Sequence, residues 1–206
     1  AEQSGRIGML THWMLGRAMK LSAQWAAAGQ PVQISVNVST RDILDERFPQ
    51  ALRALLEQHD GRAEWLRLEI TESGLMEDAE RALRVLHQIR ELGFTLSIDD
   101  FGTGYSSLSY LKKMPVAELK IDRSFVHGAR AGSDAAVLLR STIELGHNLA
   151  LSVVAEGVET AEEWALLQAL GCDYIQGYLA SRPLPVDEFA QWVAAQAPFR
   201  PLAVVG

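Results

Sequence analysis

The sequence predicts an α/β protein built on a parallel sheet, and three observations carry that reading. Short apolar, β-branched runs alternate with longer stretches of helical periodicity. Each run is mostly continuous in its apolar residues, as in strands covered on both faces. Each also ends on a polar side chain, the pattern expected where strand ends open onto one ligand-binding face. Strand–helix–strand repetition of this kind implies right-handed crossovers between parallel neighbours.

The elements follow in order along the chain. Gly5–Ala28 has helical spacing and is closed by Gly29 and Pro31. Strands are expected at Gln33–Val38, Trp65–Ile70, Thr95–Ile98, Ala117–Ile121, Leu151–Ala155 and Tyr174–Gly177. Ala79–Leu92 places Leu83, Leu86 and Ile89 on one helical face, and Asp134–Leu149 does so with Val137, Leu138, Ser141 and Leu145. Thr160–Gly171 opens with a capping box and closes on glycine. Ser106–Lys113 reads as a short helix and Pro185–Ala195 as a last one. Six strands fit either an open doubly wound sheet or part of a (β/α)8 barrel, which when complete takes about 250 residues.

Composition narrows the class. The chain has 206 residues, 48% hydrophobic and 22% charged, which suits one globular domain. No run approaches the ~18 apolar residues of a membrane span. The N-terminus lacks the basic flank and cleavage site of a signal peptide. Cys172 is the only cysteine, which excludes an internal disulfide and a thiolate metal cluster and assigns it to core packing. A cytoplasmic setting is expected. The formal charge of −7, without a basic stripe, argues against long nucleic acid as a partner. A small anionic ligand held through cations stays compatible with it.

The strand tips carry the chemistry. Asn37 ends the first strand, Glu69 the second, Asp99 and Asp100 the third, Lys120 the fourth, Glu156 the fifth and Gln176 the sixth. Asn37, Glu69, Asp99, Asp100 and Glu156 are hard oxygen donors with no histidine or cysteine among them, a set that selects Mg²⁺, Mn²⁺ or Ca²⁺. Two such ions ~3.5–4 Å apart form the usual clamp for in-line attack on a phosphoryl centre. Cations would also offset the repulsion between the adjacent Asp99 and Asp100. Gly102 and Gly104 would let the backbone turn away. Lys120 would pair with a carboxylate, hold the attacking water or stabilise charge on phosphate. Glu156 would accept a proton or bind the second ion.

Plainer readings stand beside these. Asp100 alone is consistent with a cap for the helix at Ser106–Lys113. Lys120 alone is consistent with a structural ion pair, and Asn37 and Gln176 with satisfied strand ends. Glu69 and Glu72 would then be solvated. A Schiff-base role for Lys120 conflicts with so many carboxylates near it. The stretch from Phe101 to Gly104 is not a dinucleotide fingerprint, because Ser107 occupies the third glycine position. The five histidines share no face, and the five tryptophans read as packing residues.

Taken together, "SVNVS", "LEITES", "IDDFGTGYSSL", "LKIDRSFV", "VVAEGVET" and "QGYLASRPLP" resemble the EAL domain family of bacterial cyclic di-GMP phosphodiesterases, in order over nearly the whole chain. The resemblance implies a (β/α)8 TIM-type barrel with one antiparallel strand. It implies hydrolysis of cyclic di-GMP to linear pGpG with two Mg²⁺ or Mn²⁺ ions. It implies that Asn37, Glu69 and Asp99 bind the first ion, and that Asp99 bridges to a second held with Asp100 and Glu156. Lys120 would position the water, Glu156 would serve as candidate base, Gln176 would lie near water or substrate, and Glu159 would support the site. Thr71 and Glu72, with the loop containing Phe101, Gly102, Thr103 and Gly104, resemble the segment that couples dimerisation to activity. A homodimer is therefore expected, with sensory or diguanylate cyclase domains fused in the parent protein and a membrane anchor compatible with it. The Glu-Ala-Leu signature itself is absent. The resemblance thus implies an incomplete barrel of six parallel strands whose first two strands, with a metal-binding glutamate and a substrate-contacting arginine, lie outside this sequence. The expected domain spans 1–196, with a tail at 197–206. The expected consequences are reduced or absent turnover, and sheet edges covered by a partner chain or a rearrangement. The alternative function is a non-catalytic cyclic di-GMP-binding or interaction module.

Overall fold

The computed structural model describes residues 7–72, 78–104 and 108–195. Helix α1 (Ile7–Ala27) leads into β1 (Ile34–Asn37), α2 (Thr40–Ile43), α3 (Phe48–His59) and β2 (Leu66–Thr71). Then come α4 (Ala79–Glu91), β3 (Thr95–Phe101), α5 (Leu108–Leu111), β4 (Glu118–Ile121) and α6 (Arg123–Val126). The chain continues through α7 (Asp134–Asn148), β5 (Ser152–Glu156), α8 (Ala161–Ala169), β6 (Tyr174–Gln176) and α9 (Val186–Ala195). The expected tail at 197–206 and the start of the first helix lie outside the described residues, as do Ser106 and Ser107.

The six strands pair in parallel and in chain order, β1-β2-β3-β4-β5-β6. The order is that of a barrel wall, not a doubly wound sheet, and among the described residues it follows the chain without rearrangement. The sheet is curled into a half-barrel. Neighbouring strands lie ~4.8 Å apart, so β2 and β4 would be ~10 Å apart in a flat sheet. Lys120 of β4 spans that gap over β3 to reach Glu69 of β2 at 3.1 Å, an approach that a concave face shortens.

Alternate strand residues build the two faces. Leu68, Ile70, Leu96, Ile98, Leu119, Ile121, Val153 and Ala155 are buried apolar positions. They form one core with Leu15 and Met19 of α1, Leu52 and Leu55 of α3, Leu86 and Ile89 of α4 and Leu139 and Ile143 of α7. The strands are covered on both faces as expected, but the inner cover is polar. Glu69, Ser97, Glu118 and Lys120 are all buried. Capping holds as the sequence predicts: Thr160 and Glu163 form a capping box at the start of α8.

Helix α7 corrects the expected apolar face. Val137 and Leu138 are 59% and 53% exposed, and Ser141 is exposed. The buried face is Ala136, Leu139, Ile143 and Gly146. Its cause is Gly146, where any side chain would collide with Val153, so the helix lies against β5 through its glycine. The residues three and seven positions earlier then face inward with it. Trp13 is a second correction: it is 58% exposed and is not a packing residue. Trp25 does pack, against Phe189 of α9 with ring centroids 5.2 Å apart.

Cys172 is buried beside β5 and β6, and burial pushes its thiol up to about 11. The native protein should therefore not react with a disulfide reagent at pH 8, and should release one equivalent on denaturation. Fast native labelling would contradict the placement. No described helix is long and apolar enough to cross a membrane.

Candidate active site

Of the polar tips, Glu69, Asp99, Asp100, Lys120 and Glu156 converge at the C-terminal end of the sheet. In a regular strand Asp99 and Asp100 would point to opposite faces. They do not, because β3 is irregular: its register with β4 shifts between Ile98 and Phe101. Asp100 takes φ 54, and its amide donates to Asp99 Oδ1 at 3.2 Å. An extra residue of this kind re-aims side chains beside a site. One carboxylate oxygen from each of Asp99, Asp100 and Glu156 consequently lies within 4.8 Å of the others. The strand thus runs through both aspartates instead of stopping at Ile98. Asp100 lies eight residues before α5 and does not cap it.

Lys120 occupies the centre. Its Nζ lies 2.6 Å from Glu156 Oε1, 3.0 Å from Asp99 Oδ1 and 3.1 Å from Glu69 Oε2. Burial alone would depress its basicity. The hydrogen bond to Glu156 and the charges of Glu69 and Asp99 outweigh burial and hold it above the ordinary lysine value. A cation held this firmly is no Schiff-base nucleophile. Burial raises the Glu156 carboxyl, Lys120 opposes the rise, and Asp99 and Glu69 add to it. Burial also raises Asp100, reinforced by Asp99 and Asp122.

A loop anchor flanks the cluster. Glu72 is 3% exposed, and its Oε2 accepts the amide of Gly102 at 2.8 Å. Its own amide donates to the Asp99 carbonyl at 3.2 Å, beyond the Thr71–Asp99 register pair. Thr103 Oγ1 donates to the Asp100 carbonyl at 2.8 Å, and Phe101 is buried. Gly102 has φ +98, and a Cβ there would sit 2.8 Å from the Phe125 ring. Gly104 needs smallness rather than left-handed freedom: its Cβ would lie 3.3 Å from the Glu72 carboxyl carbon. Gly102→Ala combines backbone strain with overpacking and should cost about 2–4 kcal/mol by urea denaturation. An unchanged midpoint would remove the anchor's structural role.

Three interior residues escape the reading of strand tips. Arg67, Ser97 and Glu118 stand two positions before Glu69, Asp99 and Lys120 on β2, β3 and β4. Arg67 Nη1 forms an ion pair with Glu118 Oε2, and Ser97 Oγ donates to Glu118 Oε1 at 3.1 Å. The available signal was the period of two upstream of each tip.

The remaining expected residues take edge positions. Asn37 ends β1, exposed and in register with Glu69. Gln176 ends β6, exposed and in register with Glu156. Glu159 is also exposed, and only its amide has a described bond, to Glu163 Oε2 at 2.9 Å. The structure does not bring its carboxylate into the cluster. The assembled donors are all oxygen, and the cluster carries excess negative charge around one ammonium. Both features fit a hard divalent cation.

A parallel half-barrel with carboxylates and a buried lysine at its C-terminal mouth is of the TIM-barrel class, and the cluster lies at the end where such barrels carry their sites. The EAL domain model matches residues 1–183, and the chain belongs to the EAL domain family. It is 40% identical over 195 residues to the bifunctional diguanylate cyclase/cyclic di-GMP phosphodiesterase MucR of Pseudomonas aeruginosa, covering 94% of this chain and 28% of that protein. It is 37% identical over 196 residues to the signaling protein YkoW of Bacillus subtilis, covering 95% of this chain and 24% of that protein. The chain thus spans about a quarter of these relatives. Among solved structures, the PaMucR phosphodiesterase in complex with c-di-GMP aligns with a TM-score of 0.87 at 40% identity, over 92% of this chain and 77% of that one. The EAL domain of Mycobacterium smegmatis DcpA aligns with a TM-score of 0.84 at 34% identity, over 92% and 86%.

Proposed function

We propose that this chain carries the hydrolytic site of a cyclic di-GMP phosphodiesterase, which opens one phosphodiester bond of the cyclic dinucleotide to give linear pGpG. The observation that carries the reading is the convergence of Asp99, Asp100 and Glu156 within 4.8 Å beside Lys120. The likeness to MucR and to its c-di-GMP complex supports the substrate.

Asn37, Glu69 and Asp99 would hold one Mg²⁺ or Mn²⁺, and Asp99, Asp100 and Glu156 a second. Two such cations, when bound, ease water deprotonation and stabilise charge on phosphate oxygens. The chain's own residues do the rest. Lys120 stays protonated and donates toward the attacking water or a phosphate oxygen, but does not serve as base. Glu156, 2.6 Å from Lys120, would accept the water proton where it does not bind the second cation. Gln176, beside it in register, offers an amide to water or substrate. The new phosphorus–oxygen bond forms as the bond to the ribose oxygen breaks, and that oxygen takes up a proton.

The anchor made by Thr71, Glu72 and Phe101–Gly104 would transmit a dimer contact to Asp99 and Asp100. Dimerisation, fused sensory or cyclase domains and a cytoplasmic site of action belong to the same proposal. The alternative reading is cyclic di-GMP binding without turnover. Incubation with cyclic di-GMP and Mn²⁺, with chromatographic separation of pGpG, tests the first reading, and calorimetry with the same ligand tests the second. Product formation supports the hydrolase, and binding without product supports the receptor. Neither binding nor product overturns both.

A further inference from the structure

The Arg67–Glu118 pair lies inside the half-barrel, with Glu118 in the cross-strand row of Ser97 and Glu69 and Arg67 one row below, and takes no part in the proposed hydrolysis. Arg67 and Glu69 share one face of β2, one pleat repeat of ~6.8 Å apart. That is within the reach of a guanidinium, which prefers carboxylates with two parallel oxygens. Glu69 is the nearest such group above it on the strand, and it also pairs with Lys120 at 3.1 Å. What the guanidinium actually engages is Glu118, a carboxylate 2% exposed and held from its other side by Ser97 Oγ at 3.1 Å. Among the described residues, Arg67 Nε is buried and has no acceptor. The guanidinium is therefore incompletely satisfied where it sits, and Glu118 is what fixes it there.

Resting on the cation-site reading above, we propose that Glu118 is a positioning residue. It restrains Arg67 below the site and so keeps the Glu69 carboxylate open to Lys120 and to a divalent cation. Without the Glu118 charge, Arg67 turns up the strand, pairs with Glu69 and competes with the cation for it. Residues that orient the groups holding a metal typically change its affinity 10–100-fold when altered. A structural ion pair would instead affect folding and leave cation affinity alone. Replacing a buried ion pair with neutral groups of similar size is often tolerated.

The test is calorimetric titration of Mn²⁺ into the unsubstituted chain, Glu118→Gln, Glu118→Asp and the double variant R67M/E118Q. Glu118→Gln should weaken Mn²⁺ binding about 10-fold. Glu118→Asp, which keeps the charge, should remain within about threefold of the unsubstituted chain, and so should the double variant, which removes the competing guanidinium. Unchanged affinity in Glu118→Gln overturns the proposal. So does a double variant as weak as the single one, since the loss would then come from packing. If Glu118→Gln does not fold, Ser97→Ala loosens the seat of Glu118 with both charges kept. A loss of about threefold there supports the proposal, and no loss overturns it. Failure of the unsubstituted chain to bind Mn²⁺ overturns the cation-site reading itself, and this proposal with it.

Discussion

Lys120→Met should destabilise the metal-free protein by about 3–5 kcal/mol, the cost of breaking a buried ion pair from one side. The reason is local. Lys120 is 3% exposed and is the ammonium that Glu69, Asp99 and Glu156 share, at 3.1, 3.0 and 2.6 Å. Methionine has nearly the same length, so the change removes charge more than volume. Three carboxylates then face one another, and the Glu156 carboxyl, raised by burial, loses the Lys120 charge that opposes the rise. The sign of the pH dependence follows. A carboxylate whose folded pKa lies above its unfolded value gains stability as pH falls, because the folded state binds the proton more tightly. The deficit of Lys120→Met should therefore be largest near neutrality and shrink as pH falls through the carboxylate range. Urea denaturation of both proteins at pH 7.5 and pH 5, in EDTA, measures it. Equal stability at pH 7.5 would show that the lysine does not neutralise the cluster.

Asp99→Ala should act in the opposite way, with a large effect on chemistry and a small one on stability. It removes one of three carboxylates around a single ammonium, so Lys120 keeps Glu69 and Glu156. Folding stability should stay within about 1 kcal/mol of the unsubstituted protein, as at many functional sites where repulsion is tolerated for activity. Cation binding loses the residue assigned to both ions. Cation stabilisation of phosphoryl transfer is worth several kcal/mol. At 1.36 kcal/mol per decade that corresponds to roughly 10³-fold or more in turnover of cyclic di-GMP. The check is initial rates of pGpG formation in Mn²⁺, alongside a denaturation curve. Retained turnover would exclude Asp99 from the cation site. A collapse in stability equal to that of Lys120→Met would make its role structural.

The parts of the site legible in the sequence were those that obey strand periodicity and chain order. Polar residues ending successive apolar runs imply a shared face, and Glu69, Asp99, Lys120 and Glu156 share one. The parts that were not legible depend on departures from regularity or on contacts between distant strands. The bulge at Asp100 has no signature in propensity, because an aspartate at positive φ looks like any other aspartate in sequence. Only the structure explains how two consecutive carboxylates face the same way. The rotation of α7 is fixed by Gly146 against Val153, a tertiary contact that overrides the apolar count of Val137 and Leu138. Arg67 and Glu118 carry no local sign of their pairing in the sequence, since nothing local says that β2 and β4 curl toward each other. Glu159 carried a role only by resemblance, and its exposed side chain gives that role no described contact.

All of these expectations require that the mouth of the half-barrel bind a divalent cation through Asp99. Calorimetric titration of Mn²⁺ at pH 7.5 into the unsubstituted protein and into Asp99→Ala measures that directly. Saturable binding that disappears in the variant is the predicted result. Either no binding to the unsubstituted protein or the same affinity in both would contradict the account.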